Sequence, residues 1–482
     1  MVTVTAVMTL MLSSISAYAL QHSRRVSSPF TASLRCQLSS RRMDRSLTFF
    51  VSQFQRANLK ILPQSKTFFT FKRPRLLCSS QTDVDMESGE ARSHAKFAEE
   101  IFTAENHWDR TELGKSWRKV NWADLTKDHS SKGLEHNKAS PVEVVMVKSR
   151  RIYVKRDDLL RLPGSNVSGN KARKLLSLVT LIPPDEFPSA VVSYGGPQSN
   201  AMVALAAVVN HQNTLHPHKN SKKRFLYYTK TIPRWLRKQP SGNLLRAKSL
   251  GMEMIELTPS QYQEMFGGPN GGSMEPPPQL EPPIDGDSIW VPQGAASNMS
   301  QLGVQQLAQE IVQYWSNQNL SHTPLAVVIP SGTGTVAFFL HLEIKRLISQ
   351  YEPNLDIVVV SVPVVGDANY TIRQMKSLHE VTDDDGSLPY LIEPLYKKAF
   401  GEPSLDILNT FRYLQNECGM FVDLLYGAPA WTTLLESQNW SNRESPLANR
   451  QLIYINCGGL EGVASQLTRY KHKGMIEPNE SQ

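Results

Sequence analysis

Residues 325–344 read LAVVIPSGTGTVAFFLHLEI. Leu325 to Ile329 form a short apolar run of mostly β-branched residues, which predicts a buried strand. Val336 to Ile344 form a second apolar run, which predicts a helix, and glycine and hydroxyl residues separate the two runs. A strand joined to a helix by a tight glycine turn is a building unit of parallel α/β sheets. This stretch therefore predicts the fold class.

Similar units lie on both sides of this stretch. Seven further short apolar runs alternate with helical stretches: Arg151 to Val154, Ala190 to Ser193, Phe225 to Thr229, Met254 to Leu257, Ser288 to Val291, Ile357 to Val362 and Leu452 to Ile455. Strands that alternate with helices predict open parallel sheets flanked by helices. One helix has clear limits, because it starts near Asn170 and Pro183-Pro184 ends it.

Other segments lack such alternation. Residues 83–134 are polar, with a helix-like patch at Ala95 to Phe102, and are expected to form a peripheral N-terminal arm. Met265 to Asp287 is rich in proline and glycine, and Asn210 to Lys223 contains three histidines. Both are predicted to be surface insertions.

The first 82 residues differ in composition from the rest of the chain. They hold 12 Lys/Arg, 14 Ser and a single acid, a net charge of +11, whereas the other 400 residues carry a net charge of −3. This composition predicts a transit peptide for the mitochondrion, with the chloroplast as the alternative. A secretory signal fits less well, because Val4 to Ala19 lacks a charged start and only Cys418 and Cys457 remain in the mature chain. The slightly acidic body argues against a nucleic-acid or membrane partner.

The turn Ser331 to Thr335 is the first candidate site. Glycines let backbone N–H groups converge, the hydroxyls add donors, and a helix N-terminus adds partial positive charge, so this turn can hold an anion. The absence of Gly-Lys-Ser/Thr excludes a nucleoside-triphosphate loop. Gly332 to Ala337 also fits a dinucleotide fingerprint, but the next strand ends without the acid that would bind a ribose. A plain turn without a ligand is the other interpretation.

Two further segments place polar groups at helix starts. Lys171 lies in the first turn of the helix from Asn170, where the helix dipole, with Arg173 and Lys174 nearby, should lower its pKa. Ser199 and Asn200 follow a strand and a glycine turn, and could hold a carboxylate or a phenolate oxygen. The alternatives are a solvated lysine at a helix end and simple helix capping by Ser199. The histidines and cysteines show no metal-ligand spacing.

Seven ordered stretches resemble the D-cysteine desulfhydrase / 1-aminocyclopropane-1-carboxylate deaminase family of pyridoxal-phosphate enzymes. The resemblance runs from about Pro141 to Lys473. The stretches are Val154–Leu159, Gly169–Leu175, Gly195–Asn200, Gly242–Leu245, Ser297-Asn298 with Gly303, the Gly332 loop and Cys457–Leu460. The resemblance implies a two-domain fold type II of the tryptophan-synthase-β kind. We expect a large domain at 135–188 and 291–482 with a smaller one, 189–290, inserted.

The resemblance also implies roles for single residues. Lys171 would form the Schiff base with pyridoxal 5′-phosphate, and Lys174 would lie near the phosphate, which the loop Ser331, Gly332, Thr333, Gly334 and Thr335 would bind. Asn200 would contact the cofactor's O3′, and Ser199 would face the substrate carboxylate.

The C-terminal part departs from the family pattern. Ring-opening deaminases have two tyrosines and a glutamate, where this chain has Tyr426, Phe400 and Gly427. Cys457 stands where desulfhydrases have a hydroxyl beside the pyridine nitrogen, and a neutral thiol suits β-elimination.

The resemblance therefore implies β-elimination of cysteine, most readily the D enantiomer, to pyruvate, ammonia and hydrogen sulfide. Three alternatives remain open: a cofactor-binding protein with little turnover, 1-aminocyclopropane-1-carboxylate deamination, and nicotinamide oxidoreduction. The expected partners are a small amino acid and, as in fold relatives, a second copy of the chain in a homodimer.

Overall fold

The structure is a computed structural model, which describes residues 115–122, 125, 139–162, 165, 167–215, 222–267, 274–283, 286–318, 322–378 and 386–477. All of them belong to one compact unit, Glu87–Gln482. The predicted transit peptide and the patch at Ala95 to Phe102 lie outside the described residues.

The strands occur in two sheets. In chain order they are β1 (Lys115–Trp117), β2 (Val142–Val147), β3 (Arg150–Lys155), β4 (Ala190–Tyr194), β5 (Arg224–Lys230), β6 (Met252–Leu257), β7 (Gly286–Val291), β8 (Leu325–Ser331), β9 (Ile357–Pro363), β10 (Tyr390–Leu391) and β11 (Gln451–Ile455). Within the described residues, one sheet has the order β1-β7-β4-β5-β6 and is parallel throughout. The other has the order β10-β9-β8-β11-β3-β2, and only its β2–β3 pair is antiparallel.

Helices cover the faces of these sheets. They are α1 (Asn170–Thr180), α2 (Asn200–Leu215), α3 (Arg234–Lys238), α4 (Gly242–Ser249), α5 (Pro259–Phe266), α6 (Gln301–Ser316), α7 (Thr335–Tyr351), α8 (Ala368–Lys376), α9 (Leu405–Asn416), α10 (Gly427–Leu434), α11 (Ser437–Trp440) and α12 (Val463–His472). The predicted α/β fold with open sheets flanked by helices is confirmed. The assignment of the two sheets to separate domains stays a prediction.

Both faces of the six-stranded sheet are buried. Successive residues of a strand point to opposite faces, so Val327 of β8 packs in a core with Trp315 of α6, and Val328 packs in a core with Trp431 of α10. All seven residues of β8 are buried, as is typical of a central parallel strand. This strand carries the loop Ser331–Thr335 at its carboxyl end and therefore holds it on a rigid support.

The polar arm and the proline-rich insertion contribute more to the fold than expected. Strand β1 of the arm pairs with β7, and Trp117 packs edge-on against Trp290, with ring centroids 6.0 Å apart. Leu280 of the insertion is buried, and its carbonyl oxygen accepts a hydrogen bond from Trp117 Nε1 (3.2 Å). Parts of both segments are therefore integrated into the fold, because β1 adds an edge strand to the five-stranded sheet and the Trp117 and Leu280 side chains pack in one core cluster on that sheet.

The second predicted insertion is also shorter than expected. Asn210–Leu215 continue α2, whose buried side chains extend to Gln212. Within the described residues, no helix combines the length and the hydropathy that crossing a bilayer requires.

Candidate active site

All eleven predicted site residues line one cleft of about 2010 Å³ at the carboxyl ends of the strands. They are Lys171, Lys174, Ser199, Asn200, Ser331, Gly332, Thr333, Gly334, Thr335, Tyr426 and Cys457. Strands β4, β7, β8 and β11 each lead into a turn that borders this cleft. Open α/β sheets bind their ligands at such edges, so the fold brings residues far apart in the sequence to one place.

Two backbone segments cross at the start of α1 and fix the position of Lys171. The Asn170 N–H donates a hydrogen bond to the Cys457 carbonyl oxygen (2.9 Å). Gly169 has a φ of +66°, and a Cβ there would lie 2.3 Å from that same oxygen. Only glycine fits this crossing. Any other residue would strain the backbone at this positive φ, and its Cβ would clash with the Cys457 carbonyl oxygen. The first turn of α1 is thereby joined to the end of β11.

Lys171 has a lowered pKa, as the sequence predicts, but the main cause differs from the predicted one. Burial lowers the pKa of Lys171 to about 8, because the ammonium form loses hydration. Arg173 does not supply the charge that we expected beside it. Its guanidinium turns away from the cleft and donates to Asp157 and Glu310, with N–O distances of 2.7–3.1 Å.

Lys174 lies deeper than Lys171 and faces the glycine loop. Its Nζ donates to the Gly294 carbonyl oxygen (3.1 Å) and to Thr333 Oγ1 (3.4 Å). Burial, and then the charge of Lys171, hold the pKa of Lys174 well below its usual value. No carboxylate among the described residues pairs with this ammonium, so an anion bound in the cleft would compensate it.

The loop at the carboxyl end of β8 packs against Ser361 and Met375 on one side and faces the cleft on the other. The Thr333 and Thr335 hydroxyls lie 2.8 Å apart, and Ser361 Oγ donates to Ser331 Oγ (2.8 Å). Gly334 has a φ of +70°, and a Cβ there would lie 2.6 Å from the Met375 side chain. Helix α7 starts at Thr335, so its free N–H groups point toward the loop. These groups and Lys174 fit a phosphate.

Ser199 and Asn200 lie at the start of α2. Ser199 Oγ accepts hydrogen bonds from the Ala201 N–H (3.2 Å) and the Met202 N–H (3.4 Å), so it caps the helix as the simpler interpretation expects. Asn200 Oδ1 accepts from Asn243 Nδ2 (2.7 Å). Because its oxygen is engaged, the Asn200 amide presents its N–H₂ group as the free donor, which suits a phenolate oxygen.

Tyr426 lines the same cleft and lies beside the glycine loop at the end of β8. Its ring is 5.3 Å from that of Phe400 between centroids, and a Cβ on Gly332 would lie 3.3 Å from its Cε1. Burial raises the pKa of Tyr426, so the phenol stays protonated at neutral pH. Asp423 fixes the turn before it by accepting the backbone N–H groups of Leu425, Tyr426 and Gly427 (2.7–2.9 Å).

Gly427 stands where ring-opening deaminases have a glutamate, and the structure gives a steric reason for the glycine. A Cβ there would lie 2.7 Å from the Val422 Cβ and 3.3 Å from Asp423 Oδ2. The side chains of Val422 and Asp423 therefore leave no room for an acidic side chain at this position. Burial also raises the pKa of the Cys457 thiol, which keeps it neutral as the sequence predicts.

Sequence reasoning missed several residues of the cleft. Gly294, which accepts from Lys174, follows β7 in a glycine turn like those after β4 and β8, so the same pattern could have identified it. Asn243 lies in a quoted family stretch, but nothing local predicts its bond to Asn200, 43 residues away. Among the described residues, no cluster of His, Cys, Asp and Glu could hold a metal ion.

The chain is similar to several known proteins. No protein-family model matches it. It is 26% identical over 349 residues to a provisionally named 1-aminocyclopropane-1-carboxylate deaminase of Thermotoga maritima, covering 69% of this chain and 97% of the relative.

Two solved structures are also similar. One is an ACC deaminase homologue, with a TM-score of 0.48 and 19% identity over 69% of this chain and 94% of that one. The other is the apo form of Escherichia coli diaminopropionate ammonia lyase, with a TM-score of 0.44 and 13% identity over 76% of this chain and 94% of that one.

Proposed function

We propose that this protein is a pyridoxal-phosphate-dependent lyase of small amino acids, and that it converts D-cysteine to pyruvate, ammonia and hydrogen sulfide. One observation carries the proposal: Lys171, with its lowered pKa, lines the same cleft as the uncompensated Lys174 and the Ser331–Thr335 loop. A molecule that carries both an aldehyde and a phosphate would use all three. The name of the Thermotoga maritima relative, a deaminase of a small amino acid, supports the same class.

The residues of the cleft would bind the cofactor and take the proton from the substrate. When bound, the cofactor supplies an aldehyde that condenses with amines and a ring that withdraws electrons from the substrate's Cα. Lys174 and the Ser331–Thr335 loop would hold the phosphate, and Lys171 the aldehyde. Because its pKa is about 8, Lys171 Nζ holds a neutral fraction near physiological pH and can take a proton from Cα.

The other residues would orient the substrate and supply protons. Ser199 would donate to the carboxylate and Asn200 to the cofactor's phenolate oxygen. The protonated Tyr426 can donate a proton to a leaving sulfur. Cys457, whose raised pKa keeps it a neutral thiol, would give the ring nitrogen only a weak hydrogen bond.

The test uses purified protein with bound cofactor. D-cysteine should release sulfide, pyruvate and ammonia in equal amounts, and Lys171→Ala should lower this rate at least a thousandfold by removing the base. Lys248→Ala, an exposed lysine on α4 outside the cleft, is the control and should leave the rate unchanged. Sulfide release at an undiminished rate by Lys171→Ala would refute the proposal.

A second candidate function is deamination of 1-aminocyclopropane-1-carboxylate, after the name of the Thermotoga maritima relative. Tyr426 is available to it, but the side chains of Val422 and Asp423 crowd Gly427 and disfavour the acid that ring-opening relatives use. Incubation with this substrate would separate the two, because it would yield ammonia and 2-oxobutanoate without sulfide. A protein that binds the cofactor and turns over neither substrate would support the low-turnover alternative.

Import into the mitochondrion, with the chloroplast as the alternative, and a homodimeric state complete the proposal. A fluorescent fusion that carries residues 1–82 tests the first, and sedimentation of the chain without them tests the second.

A further inference from the structure

A buried phenol lies directly behind the loop that presents Ser199. Tyr227 of β5 is 1% exposed, and β5 pairs with β4 so that Tyr227 is opposite Ser193. The Tyr227 hydroxyl donates to the Gly196 carbonyl oxygen (3.0 Å), and the same oxygen accepts from the Ser199 N–H (3.1 Å). One carbonyl oxygen therefore links the phenol to the backbone of Ser199.

The loop is built around this hydroxyl. Gly195 has a φ of +145°, and a Cβ there would lie 2.6 Å from Tyr227 Oη, so the backbone packs directly on the phenol. The Gly196 carbonyl oxygen accepts from the Ser199 N–H (3.1 Å) as well as from Tyr227. Removal of the phenol oxygen would leave a space behind the turn and release one of its two holding bonds.

The cap of α2 sets the direction of the Ser199 hydroxyl. Ser199 Oγ accepts from the N–H groups of Ala201 and Met202, so its own proton must point away from α2. The backbone of Ser199 is held in turn by the Gly196 carbonyl oxygen, to which Tyr227 donates. Burial raises the pKa of Tyr227, so the phenol stays neutral and keeps this donor role.

We infer that Tyr227 is a positioning residue that holds Ser199 as a donor to the carboxylate of the amino-acid substrate. This inference rests on the proposed function, because it names the part of the substrate that Ser199 binds. It assigns Tyr227 a role in recognition of the carboxylate and no role in chemistry at Cα.

The test compares two ligands that differ only in the carboxylate. D-alanine has no leaving group at Cβ, and D-alaninamide has a neutral amide in place of the carboxylate. Their dissociation constants are measured by calorimetry on the full chain as isolated. The Tyr227→Phe variant should bind D-alanine roughly three- to tenfold more weakly, the usual effect of one lost hydrogen bond, and D-alaninamide as wild type does.

The chain offers a matched control on the same strand. Tyr228 points to the opposite face of β5, its ring lies 6.1 Å from Phe266, and it is not part of the cleft. Tyr228→Phe removes the same atom and should change neither constant. Ser199→Ala should weaken D-alanine binding, and adding Tyr227→Phe to it should have no further effect, because both changes act through one hydroxyl.

Three results would overturn the inference. They are D-alanine binding by Tyr227→Phe equal to that of wild type, equal losses for D-alanine and D-alaninamide, and a wild-type protein that binds both ligands equally. Failure of the proposed function has a different signature, since a chain that shows no cofactor absorbance and takes up no added pyridoxal phosphate fails it before any amino acid is added.

Discussion

At the scale of single residues, the cleft keeps a lysine where a neutral side chain would be more stable. Burial lowers the pKa of Lys171 from 10.5 to about 8, so below pH 8 the folded chain holds an incompletely hydrated ammonium. The unfolded chain binds more protons than the folded chain between these two values. Stability due to this group therefore rises with pH from 8 to 10.5. Its cost is largest below pH 8 and disappears above about 10.5.

Lys171→Met should therefore stabilise the cofactor-free protein at neutral pH. The expected gain is about 1–3 kcal/mol at pH 7, less than the full shift implies because the residue is partly exposed, and it should shrink as pH approaches 10.5. Urea unfolding of both proteins at several pH values measures the difference. Lys248→Met, on an exposed residue, should give no gain, and a pH-independent gain for Lys171→Met would contradict the explanation.

At the same scale, the sequence predicted the lowered pKa of Lys171 correctly but gave the wrong main cause for it. It identified Lys171 as a lysine with a lowered pKa, but it attributed part of the shift to Arg173. The partners of Arg173, Asp157 and Glu310, lie 16 and 137 residues away, so a local reading places its charge wrongly.

At the scale of elements, eight strands could be predicted to within two residues, because buried β-branched runs bounded by turn residues are a local signal. Strands β1 and β10 have only three and two residues, too few for a pattern. Strand β2 exposes much of its surface at the sheet edge and was missed for that reason. The contacts between two elements cannot be predicted from the sequence of either element alone.

The crossing of α1 and α6 illustrates this limit and gives a prediction. A Cβ on Gly303 of α6 would lie 2.1 Å from the Arg173 carbonyl oxygen of α1. Gly303→Ala must therefore push α1, which carries Lys171 and Lys174, away from α6. We expect a loss of roughly 1–3 kcal/mol in unfolding free energy and weaker cofactor uptake. Thermal unfolding and cofactor titration measure the two effects.

The matching control is Gly462→Ala. Gly462 has an ordinary backbone conformation at φ −85°, and a Cβ there meets no atom within 4 Å. This variant should unfold and bind cofactor like wild type. Equal behaviour of the two alanine variants would show that the helices do not depend on the close crossing.

At the scale of the whole molecule, a buried ion network joins the six-stranded sheet to the helix that carries Lys171. Glu310 of α6 accepts from Lys155 of β3 (2.5 Å) and from Arg173 of α1 (2.7 Å), and both cations are 1% exposed. Arg173 also pairs with the buried Asp157 (2.9 Å). A bound cofactor would depend on this support, because Lys171 and Lys174 lie on the same helix as Arg173.

Removing one acid should therefore affect both folding and the site. Glu310→Gln leaves Lys155 without a carboxylate partner and Arg173 with Asp157 alone, and it should lower the unfolding free energy by about 3–5 kcal/mol, as loss of one partner in a buried pair does. Glu253→Gln is the control, because Glu253 is exposed, its partner Arg224 is only half-buried, and such surface pairs contribute about 0–1 kcal/mol. Added pyridoxal phosphate should restore part of the lost stability by mass action, in proportion to the logarithm of its concentration above Kd. Denaturant melts of both variants, with and without the cofactor, measure these quantities; similar losses for the two variants would mean that the buried network does not hold α1 against the sheet.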